Sequence, residues 1–301
     1  MNEPILNRGI GGLIPPKKSD RAYSFGAILK YASLSELPES YLIDENPIIH
    51  DQKDTDYCTA FMVVAMRQFQ EGVKLSPEFQ FAQTKKIMGS WQEWGADPKN
   101  ASKAAILGLL EYAESPFTLE AKGRDFCANW ENWPETYTEL AKKHLTQAYF
   151  WIGESGGMEM FDAIRSALWR FKDEKRAVGV GALWRTSWVS KVSKDHPFIP
   201  TRYENDGTPH AFTVIGWEND FLVLQLSSGT QYGKNGIVYM PREVANKELI
   251  FSMMFSDIPK GMDKEDVLYL SSWYRSGFFK KILLLLGFGP WLWGRIVGYE
   301  R

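Results

Sequence analysis

The fold is decided by residues 51–61, which read DQKDTDYCTAF. A polar loop leads to a cysteine and then turns into a helix. From Cys58 the apolar residues fall at positions 58, 61, 62, 65, 66 and 69, which is the spacing of one buried helix face. The pattern therefore predicts a buried helix that begins at Cys58.

A cysteine at a helix N-terminus is placed for nucleophilic chemistry. The unpaired N–H groups and the helix dipole favour a thiolate, so we expect the pKa of Cys58 to be lowered. The same N–H groups can stabilise an oxyanion, and the Gln52 side chain supplies a further donor on the incoming loop. A small buried cysteine in an ordinary helix explains the same residues without chemistry.

Composition indicates an ordinary globular chain. The 301 residues are 44% hydrophobic and 24% charged, with a formal net charge of −2, so we expect no nucleic-acid partner. The two cysteines, Cys58 and Cys127, favour a reducing compartment such as the cytoplasm or the interior of a viral particle. The first residues show no basic and apolar pattern of a classical secretory signal.

Helical patterns come first along the chain and strand patterns follow. Ser76-Pro77 predicts the start of a second helix that runs to about Ile87. Short runs at 177–183, 211–217, 221–226 and 236–240 read as strands. This order predicts an α+β fold with two lobes and a site between them. We expect an extended arm at 1–36, a main domain at 37–257 and a hydrophobic extension at 258–301.

His210 is the histidine best placed to serve as a base. It follows Gly207-Thr208-Pro209 and opens an apolar strand, which would hold its ring rigidly at the edge of the sheet. A strand-end histidine with a backbone partner is the structural alternative. His50, His144 and His196 read as surface or loop residues.

Together these residues resemble the papain-like cysteine peptidases. Cys58 has Gln52 ahead of it, His210 lies 152 residues downstream, and SSGTQYGKNG follows at 227–236. The histidine and asparagine of that family lie about 130–150 residues after the cysteine. The order Cys58-Thr59-Ala60 and the glycine- and proline-containing arm are closer to bacterial and viral branches of the family.

The resemblance implies a two-lobed fold, with a helical left lobe and an antiparallel sheet or barrel as the right lobe. It also implies that Cys58 is the nucleophile, that His210 is the base and that Gln52 contributes to the oxyanion hole. Gly95 would lie in the substrate-binding loop. Peptide bonds would be hydrolysed through an acyl-enzyme, without a metal or cofactor.

The chain departs from the family pattern after His210. The position of the family's asparagine, which orients the histidine ring, is Leu226, and Ser228 replaces the tryptophan that shields it. Leucine cannot accept a hydrogen bond. Gln225 could orient the ring if a bulge turned it towards His210. Cys58 and His210 could then work as a weakened dyad, or the chain could be a catalytically impaired structural protein docked in a larger complex.

The extension at 258–301 contains the most apolar stretch of the chain. Residues 282–294 are uncharged, but Gly287, Gly289 and Pro290 interrupt the apolar run. Thirteen residues fall short of the roughly 20 needed to span a bilayer. We expect residues 277–301 to pack on the chain itself or a protein partner, with contact to a membrane surface as the alternative. Hydrolysis of other amides or isopeptides, or transfer to an amine, would use the same dyad.

Overall fold

The computed structural model describes residues 11–16, 25, 29–153 and 158–256. The extension at 258–301 lies outside these residues, as does its segment 277–301. The helices are α1 (Cys58–Glu71), α2 (Pro77–Met88), α3 (Pro98–Leu107), α4 (Leu119–Lys122), α5 (Arg124–Ala128), α6 (Glu135–Ala141), α7 (Met160–Arg170), α8 (Thr186–Lys191) and α9 (Arg242–Glu248). The strands are β1 (Ser40–Leu42), β2 (Ala148–Trp151), β3 (Val178–Trp184), β4 (Thr208–Glu218), β5 (Phe221–Gln225), β6 (Ile237–Pro241) and β7 (Leu249–Ser256).

Helix α1 begins at Cys58, as the sequence predicts, and its first eleven residues are all buried. It ends at Gly72, which adopts the left-handed conformation that commonly terminates a helix. Helix α2 also begins where predicted. The Ser76 hydroxyl accepts a hydrogen bond from the N–H of Phe79 at 3.2 Å, and Pro77 occupies the first helical position.

The strands form one antiparallel sheet in the order β2-β7-β3-β4-β5-β6. Strand β4 is long enough to pair with β3 over its first half and with β1 over its last residues. Among the described strands, no pairing joins β6 back to β2. The α+β fold is therefore confirmed, but the sheet is open, and the expectation of a barrel is wrong.

The helical part and the sheet meet where α1 packs on β4. The hydroxyl of Thr213 in β4 donates to the carbonyl of Met62 in α1 at 3.3 Å. Both residues are buried in the main hydrophobic core or beside it. This contact fixes the start of α1 against the first half of β4, so that residues on the two elements can act together.

Among the described residues, no helix has both the length and the apolar character needed to cross a lipid bilayer.

Candidate active site

Cys58 is fully buried at the start of α1. The N–H groups of Ala211, of Thr59 and of Cys58 itself face its sulfur and favour the thiolate. Burial outweighs them and raises the pKa of Cys58 to about 12. The expectation of a lowered pKa is therefore wrong for this conformation, because the helix terminus lies in the core rather than at an open cleft.

The backbone N–H of Ala211, the residue that follows His210 in β4, faces the Cys58 sulfur, so the backbone at His210 lies close to the thiol. The histidine is the third residue of β4 and pairs with Ala182 of β3. It is therefore inside the sheet rather than at its edge. Burial lowers the pKa of His210 to about 4, so the ring is neutral near pH 7.

Trp184 packs against the His210 ring, and no sequence pattern singles it out beyond its place directly after the predicted strand at 177–183. The two rings meet edge to face with centroids 5.8 Å apart. Trp184 is in turn hydrogen-bonded to the hydroxyl of Tyr232, which donates to the carbonyl of Trp188 at 3.0 Å. An aromatic contact thus restrains the ring.

Gln52 is fully buried and held at both ends of its amide. Its Nε2 donates to the carbonyl of Thr55 at 2.8 Å, and its Oε1 accepts from the hydroxyl of Ser227 at 2.5 Å. Its backbone N–H donates to the Ser227 carbonyl at 2.7 Å. The side chain is therefore rigid and lies on the loop that leads into α1.

Gln225 ends β5, the strand beside β4, and Leu226 follows it. Gln225 pairs with Thr213 rather than with His210, and its Nε2 donates to the carbonyl of Ile48 at 2.8 Å. Among the described residues no hydrogen bond joins Gln225 to His210. Leu226 is buried in the main core. An orienting role for Gln225 thus finds no supporting contact.

Residues 11–14 of the arm cross the site as an extended segment. The N–H of Gly11 points at Nδ1 of His210 across 3.5 Å. The N–H of Leu13 donates to the carbonyl of Pro209 at 3.4 Å. The arm therefore contacts the histidine and the residue that precedes it.

The same segment pairs with the loop between α2 and α3. The N–H of Ala96 donates to the carbonyl of Gly12 at 2.7 Å, and the N–H of Ile14 donates to the carbonyl of Ala96 at 3.0 Å. The resemblance described above implies that Gly95 lies in the substrate-binding loop and pairs with an extended peptide. In the structure Ala96 offers the backbone groups, and Gly95 provides space, because a Cβ there would overlap the Gly12 carbonyl.

The Leu13 side chain fills a pocket at the base of the site. It is buried against the main core. A Cβ on Gly181 of β3 would meet the Leu13 side chain at 2.7 Å and would overlap the ring of Phe251. Glycine at position 181 therefore leaves room for an aliphatic side chain beside the backbone pairing at Ala96.

The remaining thiol and histidines lie outside this arrangement. Cys127 is buried in a separate cluster of the helical part, with its pKa raised to about 12 by burial. His50 bonds Gln68, and His144 lies between the carboxylates of Glu71 and Glu111. Among the residues that the structure describes, no group of three or more His, Cys, Asp or Glu side chains could hold a metal ion.

Comparisons with known proteins identify the fold through structure only. No model of a known protein family matches the chain. No curated protein sequence matches it either.

Solved structures of cysteine proteases do match. Xylellain, a cysteine protease from Xylella fastidiosa, has a TM-score of 0.66 at 18% identity and covers 86% of this chain and 99% of its own. The bromelain protease from Ananas comosus, in complex with the E64 inhibitor, has a TM-score of 0.53 at 15% identity, covering 73% of this chain and 100% of its own. A cysteine protease from Carica candamarcensis has a TM-score of 0.51 at 14% identity, covering 73% and 99%. The chain therefore has the papain-like α+β fold of these cysteine proteases.

Proposed function

We propose that this chain is a papain-like thiol peptidase in a latent state, with its own residues 11–14 in the substrate cleft. One observation carries the proposal. The Cys58 sulfur lies against the N–H that follows His210, while the adjoining backbone groups of Ala96 and Pro209 bind an extended polypeptide segment.

The arrangement explains how a substrate would be held. An extended peptide that replaces the arm would pair with Ala96 and with the Pro209 carbonyl, and would place an aliphatic side chain in the pocket beside Gly181. Backbone pairing of this kind gives affinity without sequence preference, and the pocket adds selectivity. Held in this way, a peptide carbonyl would lie near the cysteine sulfur, where orientation lowers the barrier to attack.

The chemistry uses the Cys58 thiol and the His210 ring. His210 takes the thiol proton, and the thiolate attacks the peptide carbonyl carbon to give a tetrahedral intermediate. The N–H of Cys58 and the amide of Gln52 stabilise the oxyanion. The imidazolium then protonates the leaving amine as the C–N bond breaks, which leaves an acyl group on sulfur. Water, deprotonated by His210, releases the acid and restores the thiol.

The latent state follows from the same contacts. The Gly11 N–H requires a lone pair on Nδ1 of His210, and the arm keeps both reacting side chains out of water. A buried thiol with a pKa near 12 and a neutral ring with a pKa near 4 do not form an ion pair. Removing the arm would hydrate both groups and return their pKa values towards each other.

A structural or assembly role is the second candidate. It is favoured by Leu226, which stands in the core at the position where the resemblance places an asparagine that orients the histidine. Trp184 can restrain the His210 ring by packing, but an aromatic edge accepts no proton from it. In that case the cleft would serve only to fold the arm onto the domain.

Site-specific labelling distinguishes the two functions. A peptidyl epoxide is applied to the chain in which Gly12→Ala displaces the arm, because a Cβ on Gly12 would overlap the Asp56 carbonyl. A peptidase predicts that Cys58 is modified in preference to Cys127 and that His210→Ala abolishes the difference. Equal and slow modification of both thiols would support the assembly role.

A further inference from the structure

The loop at 91–96, between α2 and α3, is held by charged side chains. Three of its carbonyls accept hydrogen bonds from two cations. Arg124 donates to Trp91 at 3.0 Å and to Glu93 at 2.9 Å. Lys85 donates to Glu93 at 2.6 Å and also to Gly95. A surface loop with ordinary turn geometry has no need of such partners, because water satisfies its carbonyls.

A buried carboxylate completes the group. Asp56 accepts from the N–H of Gly95 and from the guanidinium of Arg124, at 3.0 Å for Nε and 2.8 Å for Nη2. Its side chain is wholly inaccessible to solvent. We call Asp56, Lys85 and Arg124 the ionic clamp. The three residues come from the segment before α1, from α2 and from the start of α5, so the clamp joins three separate elements to one loop.

Burying three charges is costly, and they persist in a core only when each is paired or bonded. Lys85 is fully buried, and Arg124 is largely so. Asp56 faces both cations, Asp125 accepts a further hydrogen bond from Arg124 at 2.9 Å, and the loop carbonyls accept from other N–H groups of the two cations. Stability alone is a weak reason for such a group, because apolar residues of similar volume commonly do as well.

The position of the clamp suggests another reason. Asp56 stands two residues before Cys58, and its side chain holds Gly95 directly. Because both backbone groups of Gly95 are turned towards the clamp, the N–H and carbonyl of the next residue, Ala96, face the cleft, where they bind Gly12 and Ile14. The clamp thus sets the distance between the thiol and the edge that binds an extended chain.

We propose that Asp56, Lys85 and Arg124 are positioning residues for polypeptide binding, which hold Ala96 in register with Cys58. This inference rests on the proposed peptidase function for its kinetic consequence only. The clamp contributes to the affinity of the cleft for an extended backbone. The charge of Asp56 also helps to raise the pKa of Cys58, so the test leaves Asp56 unchanged.

The test compares Lys85→Met with Lys86→Met, both in the chain that carries Gly12→Ala. Met keeps the length of the lysine stem, and Lys86 is the exposed neighbour on the same helix. Two reagents are used. A peptidyl epoxide must pair with the backbone groups of Ala96 before it reacts, whereas iodoacetamide only has to reach the thiol. Lys85→Met is expected to raise the epoxide's half-saturating concentration about tenfold, the effect of a lost hydrogen bond to a charged group. Iodoacetamide should react within about twofold of the parent rate, because Lys85 donates to loop carbonyls and not to the sulfur.

The proposal would be overturned if Lys85→Met changed the labelling of Cys58 by both reagents equally. It would also be overturned if Cys58 of the Gly12→Ala chain were reactive and Lys85→Met changed its labelling by neither reagent. Arg124→Lys serves as a second variant, because it keeps a charge beside Asp56 but loses the fork that reaches Trp91 and Glu93. Arg124→Lys should also raise the half-saturating concentration of the epoxide. A shared loss of folding in both variants would show a purely structural clamp and would also overturn the proposal.

Failure of the proposed function gives a different result. If Cys58 is also unreactive in the Gly12→Ala chain, amide hydrogen exchange in the unmutated chain still tests whether the clamp holds the loop in place. Lys85→Met should then speed exchange at Ala96 and Ile14 about tenfold relative to Lys86→Met, because each N–H depends on the register of the loop. Unchanged exchange at both amides would contradict the clamp whether or not the chain is a peptidase.

Discussion

The backbone N–H of Gly11 points at Nδ1 of His210 across 3.5 Å, so a residue of the arm lies on the side chain that would activate Cys58. Among the described residues, this long hydrogen bond and three backbone–backbone hydrogen bonds hold residues 11–14 across the cleft. The N–H needs an unprotonated ring nitrogen as its acceptor. The occupancy of the cleft and the protonation of His210 are therefore linked.

The buried histidines predict that the chain loses stability in acid. Burial lowers the pKa of both His50 and His210 from 6.5 to about 4. Between those values the unfolded chain binds more protons than the folded one, so this stability is complete above pH 6.5 and is lost as the pH falls. Each histidine contributes a loss of about 3 kcal/mol by pH 4.

Chemical unfolding at a series of pH values measures this effect. His50→Gln should remove about half of the decline between pH 6.5 and pH 4. His196→Gln, at an exposed loop position, is the matched control and should leave the slope as it is. A free energy of unfolding that stays constant over this range would contradict the burial of neutral histidines.

Gln52 is expected to act on the reaction rather than on binding. Gln52→Ala removes a rigid amide donor from the loop before Cys58, so the maximal rate of hydrolysis of a peptide substrate should fall about 10²- to 10³-fold with little change in KM. The measurement is steady-state hydrolysis by the Gly12→Ala chain with and without the second substitution. Ser227→Ala, which frees the Gln52 carbonyl oxygen, should give a smaller loss in the same direction.

Trp184 is expected to orient His210 in the absence of an asparagine. Trp184→Phe keeps an aromatic ring but loses the hydrogen bond to Tyr232, so the restraint on the imidazole weakens. We expect the maximal rate to fall about tenfold, the equivalent of roughly 1.4 kcal/mol from a loosened aromatic pair. The pH dependence of the rate should shift as well, because the environment of the ring changes.

The control for this variant is Trp169→Phe. Trp169 packs against Tyr41 and Trp217 on another part of the sheet, away from the cleft. Equal kinetic effects of the two substitutions would mean that Trp184 serves the core and not the histidine.

The periodic and capping signals near Cys58 and Ser76 were sufficient to place two helices from sequence. They are local, and the buried stripe, the cap and the terminal glycine agree with one another. Strands β3 to β6 were also found, with bounds shifted by a few residues. The sequence does not predict the neighbouring strands β2 and β7, because β2 is only four residues long and β7 directly follows a helix.

The electrostatics of the site could not be predicted in the same way. The helix terminus indicates a thiolate, but burial of Cys58 in the folded chain raises its pKa instead. Lys85 and Lys86 are indistinguishable in sequence, yet one lies in the clamp and the other in solvent. The pKa of Cys58 and the burial of Lys85 both depend on contacts between distant parts of the chain, which a local sequence pattern does not reveal.

If residues 11–14 mask a reactive pair of Cys58 and His210, displacing them should expose the thiol. The rate at which iodoacetamide alkylates Cys58, followed by mass spectrometry, is compared in the unmutated chain, in Gly12→Ala and in Gly72→Ala. Gly72 also has a positive φ, but a Cβ there meets open space, so it controls for backbone strain. We predict that Gly12→Ala alone speeds alkylation of Cys58 at least about tenfold, that Cys127 is unaffected, and that His210→Ala removes the gain. Alkylation of Cys58 that is equally slow in all three chains, or equally fast with and without His210, would contradict the account.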